Sequence, residues 1–262
     1  TARSTRSMTS YSDAAFDAAS AAYGFAAAFV PNEWARIATV AISFIVIAIA
    51  DQVLKHLIKT RNGAPLRGRY EFLHSVSNTI TVVLCFPGMI ETLRDPINAA
   101  KGPTEINGFL VIIAIHCYHV VAFRPLPMIE WVHHILMVGC IAPIVWASAR
   151  GSIVDYCSFF LSGLPGAVDY ALLVLVKNKR MDRVLEKRIN SAINTWLRTP
   201  FTLIGGFILF QLTLYDESIT PRDRIACLAV ASLVAWNALY FGRRVVQNYG
   251  SNMPQGSEPH VS

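Results

Sequence analysis

The chain has 262 residues, of which 53% are hydrophobic and only 15% charged, and its formal net charge is +6. Soluble globular domains carry about 25% charged residues, so a soluble enzyme and a disordered chain are both excluded. The apolar residues form runs of about 20, the length of a helix that crosses a bilayer, which excludes a barrel of short alternating strands. The basic residues flank these runs and therefore indicate membrane topology, and no nucleic-acid partner is expected.

The first 32 residues differ in composition from the rest of the chain. The opening stretch TARSTRSMTSYS contains Arg3 and Arg6 but no acidic residue, which is typical of the remnant of an organellar transit peptide and equally of a Ser/Thr-rich tail. The alanine-rich stretch from Asp13 to Val30 has high helix propensity and is interrupted by two aspartates. We expect residues 1–32 to form a tail and an interfacial helix.

Seven apolar runs predict seven transmembrane helices in an all-α membrane domain, residues 33–246, followed by a polar tail, residues 247–262. Most prolines stand at or between the proposed helix ends, where they are tolerated. Pro87, Pro143, Pro165 and Pro200 fall within or near spans and predict kinks. The seven predicted spans are 34–56, 71–93, 107–123, 128–148, 152–176, 197–215 and 222–246.

Lysine and arginine concentrate in every second loop of this arrangement. The loop between the first two spans and the loop between the fifth and sixth hold more than half of the 23 basic residues, whereas the opposite loops are balanced or acidic. Basic loops stay on the cytoplasmic side, so we expect an outside N-terminus and an inside C-terminus. The basic loop residues are Lys55, Lys59, Arg61, Arg67, Arg69, Lys177, Lys179, Arg180, Arg183, Lys187, Arg188 and Arg198.

The linker from Asn178 to Trp196 places apolar residues at helical spacing with basic residues between them. This pattern predicts an amphipathic helix that lies in the inner membrane interface and is attracted to anionic headgroups. The residues expected to bind headgroups are Lys177, Lys179, Arg180, Arg183, Lys187 and Arg188.

Six ionisable residues from four predicted spans fall in the inner half of the bundle. Such residues are costly in hydrocarbon, so they normally face the bundle interior or a water-filled cavity and mark a functional site. Glu130 lies within about one helical turn of the pair His133 and His134, where its carboxylate is placed to orient either imidazole. The six residues are His74, His116, His119, His133, His134 and Asp169.

These residues suit more than one chemistry, and the choice stays open. A histidine of the pair, oriented by Asp169 or Glu130, has the groups needed for acyl transfer onto an amine or hydroxyl. The remaining histidines would then line the cavity. Metal binding is a weaker alternative, because membrane di-iron enzymes use more histidines than the seven present here, and no metal site is expected. Histidines that only hydrogen-bond neighbouring helices are the third interpretation.

The double histidine in EWVHHILMVG, the later stretch SGLPGAVDYALLVLVKNK and the stretch RINSAINTWLRTP before the sixth span resemble the TLC family over residues 70–246. This family includes TRAM and ceramide synthase, and the resemblance implies a lipid-filled helical barrel. In ceramide synthases the double histidine transfers an acyl chain from coenzyme A to a sphingoid base, a role that would fall here on His133 and His134. The stretch FFLSGLPG stands where those enzymes have an acidic pair. The resemblance therefore implies a member concerned with lipid sensing, transport or membrane composition.

The sequence thus predicts an integral membrane protein that binds lipid acyl chains, with acyl-CoA as a co-substrate only if it is an acyltransferase and no other cofactor. The alternative is a non-catalytic accessory subunit of a large organellar membrane complex, whose neighbours would order the polar tail SNMPQGSEPHVS. Membrane lipids and such subunits are the expected partners. The resemblance implies an ER-like endomembrane, and the opening residues favour a mitochondrial or other organellar membrane.

Overall fold

The computed structural model describes residues 33–56, 63 and 66–253, and these residues form helices without any β-strand. The expected N-terminal helix within residues 13–30 lies outside the described residues. In chain order the helices are α1 (Glu33–His56), α2 (Arg69–Arg94), α3 (Pro96–Lys101), α4 (Asn107–Ala122), α5 (Met128–Ser148), α6 (Ile153–Lys177), α7 (Arg183–Tyr215) and α8 (Pro221–Ser251).

Six of these helices, α1, α2 and α5 to α8, are long and apolar enough to cross a membrane, with lengths from 21 to 33 residues. Helix α4 is also apolar but has 16 residues, or about 24 Å at 1.5 Å per residue. The prediction of an all-α protein with several membrane-spanning helices is therefore confirmed. Each of the seven predicted spans overlaps one helix.

The helices alternate in direction, as contacts at their two ends show. We call the end where α6 stops and α2 begins the basic end. There Lys177 Nζ lies 2.5 Å from Glu71 Oε1. At the opposite, far end, where α6 and α8 begin, Arg150 Nη2 lies 2.6 Å from Asp223 Oδ2.

The outward surfaces of the helices are apolar. Ile42, Val83, Phe207 and Ile225 are between 60% and 70% exposed. Soluble monomers rarely expose so much contiguous apolar surface, whereas a bilayer covers it. The described helices therefore present the lipid-facing exterior and polar interior of an integral membrane protein.

The predicted interfacial linker is instead the first part of α7. Residues 183–215 form one continuous helix, so the linker is helical as predicted but is not separate from the helix of the sixth span. Glu186 and Asn190 are buried, whereas Trp196 is 79% exposed. The polar face of this amphipathic helix thus packs against the bundle, and Arg198, counted as a loop residue, lies inside the helix.

Helix α8 also extends beyond its predicted end at residue 246. It continues to Ser251, so the beginning of the predicted polar tail is helical. The rest of the tail, from residue 254 onward, lies outside the described residues. Polar residues at 247–251 continue the helix because nothing in that stretch, such as proline, interrupts the main-chain hydrogen bonds before Ser251.

The start of α7 is capped by Asp182, whose carboxylate accepts a hydrogen bond from the Leu185 N–H at 2.9 Å. Replacing an N-cap aspartate by alanine costs about 1 kcal/mol. We expect Asp182→Ala to lower the midpoint of thermal unfolding, measured in detergent. Asp182→Asn keeps an acceptor oxygen and should retain most of the stability. An equal loss in both variants would contradict the capping role.

Candidate functional site

A cavity of about 390 Å³ lies between the helices and is lined by side chains from α2, α4, α5, α6, α7 and α8. It follows α8 from Ala226 to Val245, a length of about 28 Å at 1.5 Å per residue. Its volume falls within the usual range for small-molecule sites, about 300–1,000 Å³. All seven residues singled out in the spans line it, namely His74, His116, His119, Glu130, His133, His134 and Asp169.

The five cavity histidines come from three helices and form one continuous group. The ring centroids of His119 and His134 are 4.8 Å apart, and those of His74 and His119 are 5.4 Å apart. His116 and His133 follow at 5.5 Å. The structure therefore brings together, in the basic-end half of the bundle, histidines that are up to 60 residues apart in the chain.

Three of these histidines are anchored through Nδ1 to the main-chain carbonyl four residues earlier. The distances to that oxygen are 2.9 Å for His74, 2.8 Å for His116 and 2.7 Å for His134. Because a carbonyl oxygen only accepts, each Nδ1 carries the proton. In the neutral imidazole, Nε2 is then an acceptor.

The double histidine presents two acceptor nitrogens without partners. His116 Nε2 lies 3.4 Å from His133 Nε2, and since His116 accepts there, His133 donates and keeps an unprotonated Nδ1. His133 Nδ1 and His134 Nε2 are buried and have no hydrogen-bond partner in the described part of the chain. An unprotonated nitrogen of this kind can act as a general base, or it can accept a hydrogen bond from a bound hydroxyl or amine.

The two acids occupy places other than those expected beside the double histidine. Glu130 Oε2 lies 3.1 Å from His119 Nε2, and only the main-chain carbonyl of Glu130 contacts His134. Asp169 lines the cavity, and its Oδ1 is buried with no hydrogen-bond partner in the described part of the chain. The carboxylate that orients an imidazole in this structure is therefore Glu130, acting on His119.

A polar stripe on α7 is the part of the site that the sequence interpretation missed. Glu186, Asn190, Asn194 and Arg198 recur at every fourth residue, a spacing that places them on one helix face. The last three line the cavity, as does Asn237 of α8. The spacing was visible in EKRINSAINTWLR, but the sixth span was assigned a start within it.

Three helices around the cavity each contain a π-helical segment. These segments include cavity-lining residues, and π segments are rare and frequently mark functional sites. Each ends two residues before a proline, which lacks the N–H of a regular helix and clashes with the preceding turn. The three segments are Ile135–Ile141 before Pro143, Phe159–Gly163 before Pro165, and Asn194–Arg198 before Pro200. Helix α2 continues through the fourth proline, Pro87.

The basic residues predicted to bind headgroups fall into two groups. Lys187 Nζ lies 2.9 Å from Glu186 Oε2, and the Lys187 side chain is only 13% exposed, so it forms an internal ion pair. Lys177 pairs with Glu71 and is 49% exposed. The other four are exposed near the basic end, namely Lys179, Arg180, Arg183 and Arg188.

Within the described ranges, no group of three or more His, Cys, Asp or Glu side chains is arranged to hold a metal ion. Comparison of the chain with protein-family models, with curated proteins and with solved structures finds no match.

Proposed function

We propose that this chain is a seven-helix membrane protein of the TLC type, with an outside N-terminus and an inside C-terminus, that binds a lipid in the cavity between its helices. The acyl chain occupies the apolar part of the cavity, and the polar head lies among the histidines. Six long apolar helices, with α4 as a shorter seventh, support this arrangement. An ER-like membrane follows from the resemblance.

The observation that carries the proposal is the division of the cavity into a polar and an apolar part. The histidines, Arg198 and Asn237 line the basic-end part, and the Arg150–Asp223 ion pair lies at the far end. A cavity of this kind matches a ligand with one polar end and one long apolar end. The aliphatic residues that line the cavity toward the far end include Ile141, Ala142, Ile144, Val145, Ile153, Val154, Leu209, Ala226, Val230 and Val234.

Acyl transfer is the second candidate function, favoured by the free acceptor nitrogens of His133 and His134. In this reaction His134 Nε2 takes the proton of an acceptor hydroxyl or amine as that group attacks an acyl thioester carbonyl. The new ester or amide bond forms, the carbon–sulfur bond breaks, and the proton passes to the departing thiolate. Acyl-CoA would be the acyl donor.

The test of lipid binding is purification in mild detergent, followed by mass spectrometry of bound lipid and of co-purifying proteins. We expect the wild-type chain to retain a defined lipid in stoichiometric amount and the double variant His133→Ala/His134→Ala to lose it. His56→Ala is the matched control, because His56 is exposed near the end of α1. Circular dichroism and the unfolding midpoint establish that each variant is folded.

Unchanged lipid content in the double variant would overturn a head-binding role for the histidines. Absence of bound lipid from wild-type protein, together with stoichiometric co-purification in a large complex, would instead favour the accessory-subunit alternative. Acyl transfer has its own readout, the formation of acylated product from acyl-CoA and a long-chain amine or alcohol. Loss of product in His134→Ala with lipid retained would support catalysis.

A further inference from the structure

Arg198 is a charged residue placed deep within a membrane-spanning helix. It lies 15 residues after the start of α7 and 17 before its end, or about 22 and 26 Å from the two ends. The guanidinium stays protonated in proteins, and a charge inside a helical bundle is costly unless it serves a partner or a cavity. Arg198 lines the cavity described above.

The hydrogen-bond acceptors of Arg198 are all neutral. Its Nε donates to the Leu161 carbonyl at 3.0 Å, and its Nη2 donates to Asn237 Oδ1 at 2.5 Å. Its Nη1 lies 3.5 Å from Asn194 Oδ1. The Leu161 carbonyl is available because the residue four positions later, Pro165, has no N–H to donate. These contacts fix the orientation of the guanidinium but do not neutralise its charge.

The neighbouring acids, Asp169 and Glu186, form no direct ion pair with Arg198. Asp169 also lines the cavity, and its Oδ1 is buried without a hydrogen-bond partner in the described part of the chain. Glu186 pairs with Lys187, whose Nζ lies 2.9 Å from Glu186 Oε2. Within the described chain no carboxylate oxygen lies within 4.0 Å of Arg198. The Arg198 guanidinium therefore lines the cavity without a direct carboxylate partner in the described part of the chain.

Asn237 supplies a second hydrogen-bond donor at the same place. Its side chain is 1% exposed, and its oxygen is used by Arg198. Its Nδ2 contacts the Met137 sulfur at 3.4 Å, and a thioether is a weak acceptor. An incoming oxyanion would thus meet the Arg198 guanidinium and the Asn237 amide N–H together.

We infer that Arg198 and Asn237 form an anion subsite and that the bound amphiphile carries a carboxylate or phosphate at its polar end. This inference rests on the proposed lipid-binding function and specifies the charge of the ligand. The free acceptor nitrogens of His133 and His134 would meet hydroxyl or amine donors of the same head. A neutral lipid such as a long-chain alcohol gives the guanidinium no anionic partner.

The inference is tested by native mass spectrometry of delipidated protein in a neutral detergent, titrated with oleate, oleyl alcohol or inorganic phosphate. The two lipid probes share one chain and differ in charge. We expect wild-type protein to bind oleate at least about tenfold more tightly than oleyl alcohol, as a charge-assisted hydrogen bond implies. Arg198→Gln should lose this preference, and Arg198→Lys should keep part of it. The matched control Arg243→Gln, an exposed position on α8, should leave it unchanged.

Equal binding of oleate and oleyl alcohol by wild-type protein would overturn the anion subsite while leaving the lipid-binding function intact. This comparison uses only wild-type protein, so it tests the anion subsite even if Arg198→Gln does not fold. Failure of both lipid probes to bind would overturn the proposed function as well. Displacement of oleate by inorganic phosphate would support the anion subsite and show that the head, not the acyl chain, provides the affinity.

Discussion

Filling the apolar part of the cavity is expected to abolish lipid binding while the protein stays folded. Ala226 and Val230 lie one turn apart on α8 and both line the cavity. In the double variant Ala226→Phe/Val230→Phe, two aromatic rings occupy the space assigned to the acyl chain. The measurement is the amount of lipid that co-purifies, together with the binding of added oleyl alcohol. Both should fall to the background of detergent exchange.

The matched control for this variant is Ala171→Phe, because Ala171 is exposed on α6 and lies outside the cavity lining. It adds the same aromatic group on the lipid-facing surface, where extra apolar area is tolerated. Full lipid content in the double variant, with a normal unfolding midpoint, would mean that the acyl chain binds elsewhere. If the double variant is destabilised, the same measurement is made on Ala226→Phe alone, which adds less volume to the interior.

Loss of the Asp51 carboxylate is expected to destabilise the attachment of α1 by about 3 kcal/mol. Helix α1 buries only Ile47, Asp51 and Leu54. Asp51 Oδ1 lies 2.5 Å from Arg69 Nε, and Asp51 Oδ2 accepts a hydrogen bond from the Tyr118 hydroxyl at 2.8 Å. Breaking a buried ion pair costs about 3–5 kcal/mol, and the lower value applies because the Arg69 side chain is 30% exposed.

The measurement for Asp51→Ala is the free energy of unfolding in mixed micelles of detergent and dodecyl sulfate. The double variant Asp51→Leu/Arg69→Met removes both charges and should recover most of the loss, since no unpaired charge remains. Tyr118→Phe, which removes only the hydroxyl, should cost about 1 kcal/mol. If Asp51→Ala were as stable as the wild type, the ion pair with Arg69 would make no net contribution to the attachment of α1.

The helices and the histidine group could be predicted from one physical rule. Placing a polar or charged side chain in the hydrocarbon core costs free energy, so apolar runs span the membrane and polar residues within them face inward. Runs such as 107–123 have too few charges to be anything but buried or lipid-facing, and the described helices occupy them. Histidines in those runs had to face inward, and all five line one cavity. No packing detail was needed for either prediction, because each follows from composition along one helix.

The pairing of charged groups could not be predicted, because it depends on how neighbouring helices are rotated about their axes. Sequence distance favoured Glu130 with His133 or His134, whereas in the structure His119 of α4 lies next to that carboxylate. Arg198 was missed for a different reason. Its basic neighbours in the linker resemble a topology signal, and only the continuity of α7 shows that it lies deep within the helix.

The ion pair between Arg150 and Asp223 at the far end of the cavity would give the protein a selectivity for chain length. From Asn237, beside the polar head, to Asp223 is 14 residues along α8, or about 21 Å. That exceeds half of the roughly 30 Å hydrocarbon core, so a full-length acyl tail fits. For a lipid bound as proposed, a longer tail would have to separate two charged side chains, and a shorter one would leave aliphatic walls without contacts. The position of the far-end ion pair would then set the length of acyl chain that the cavity binds best.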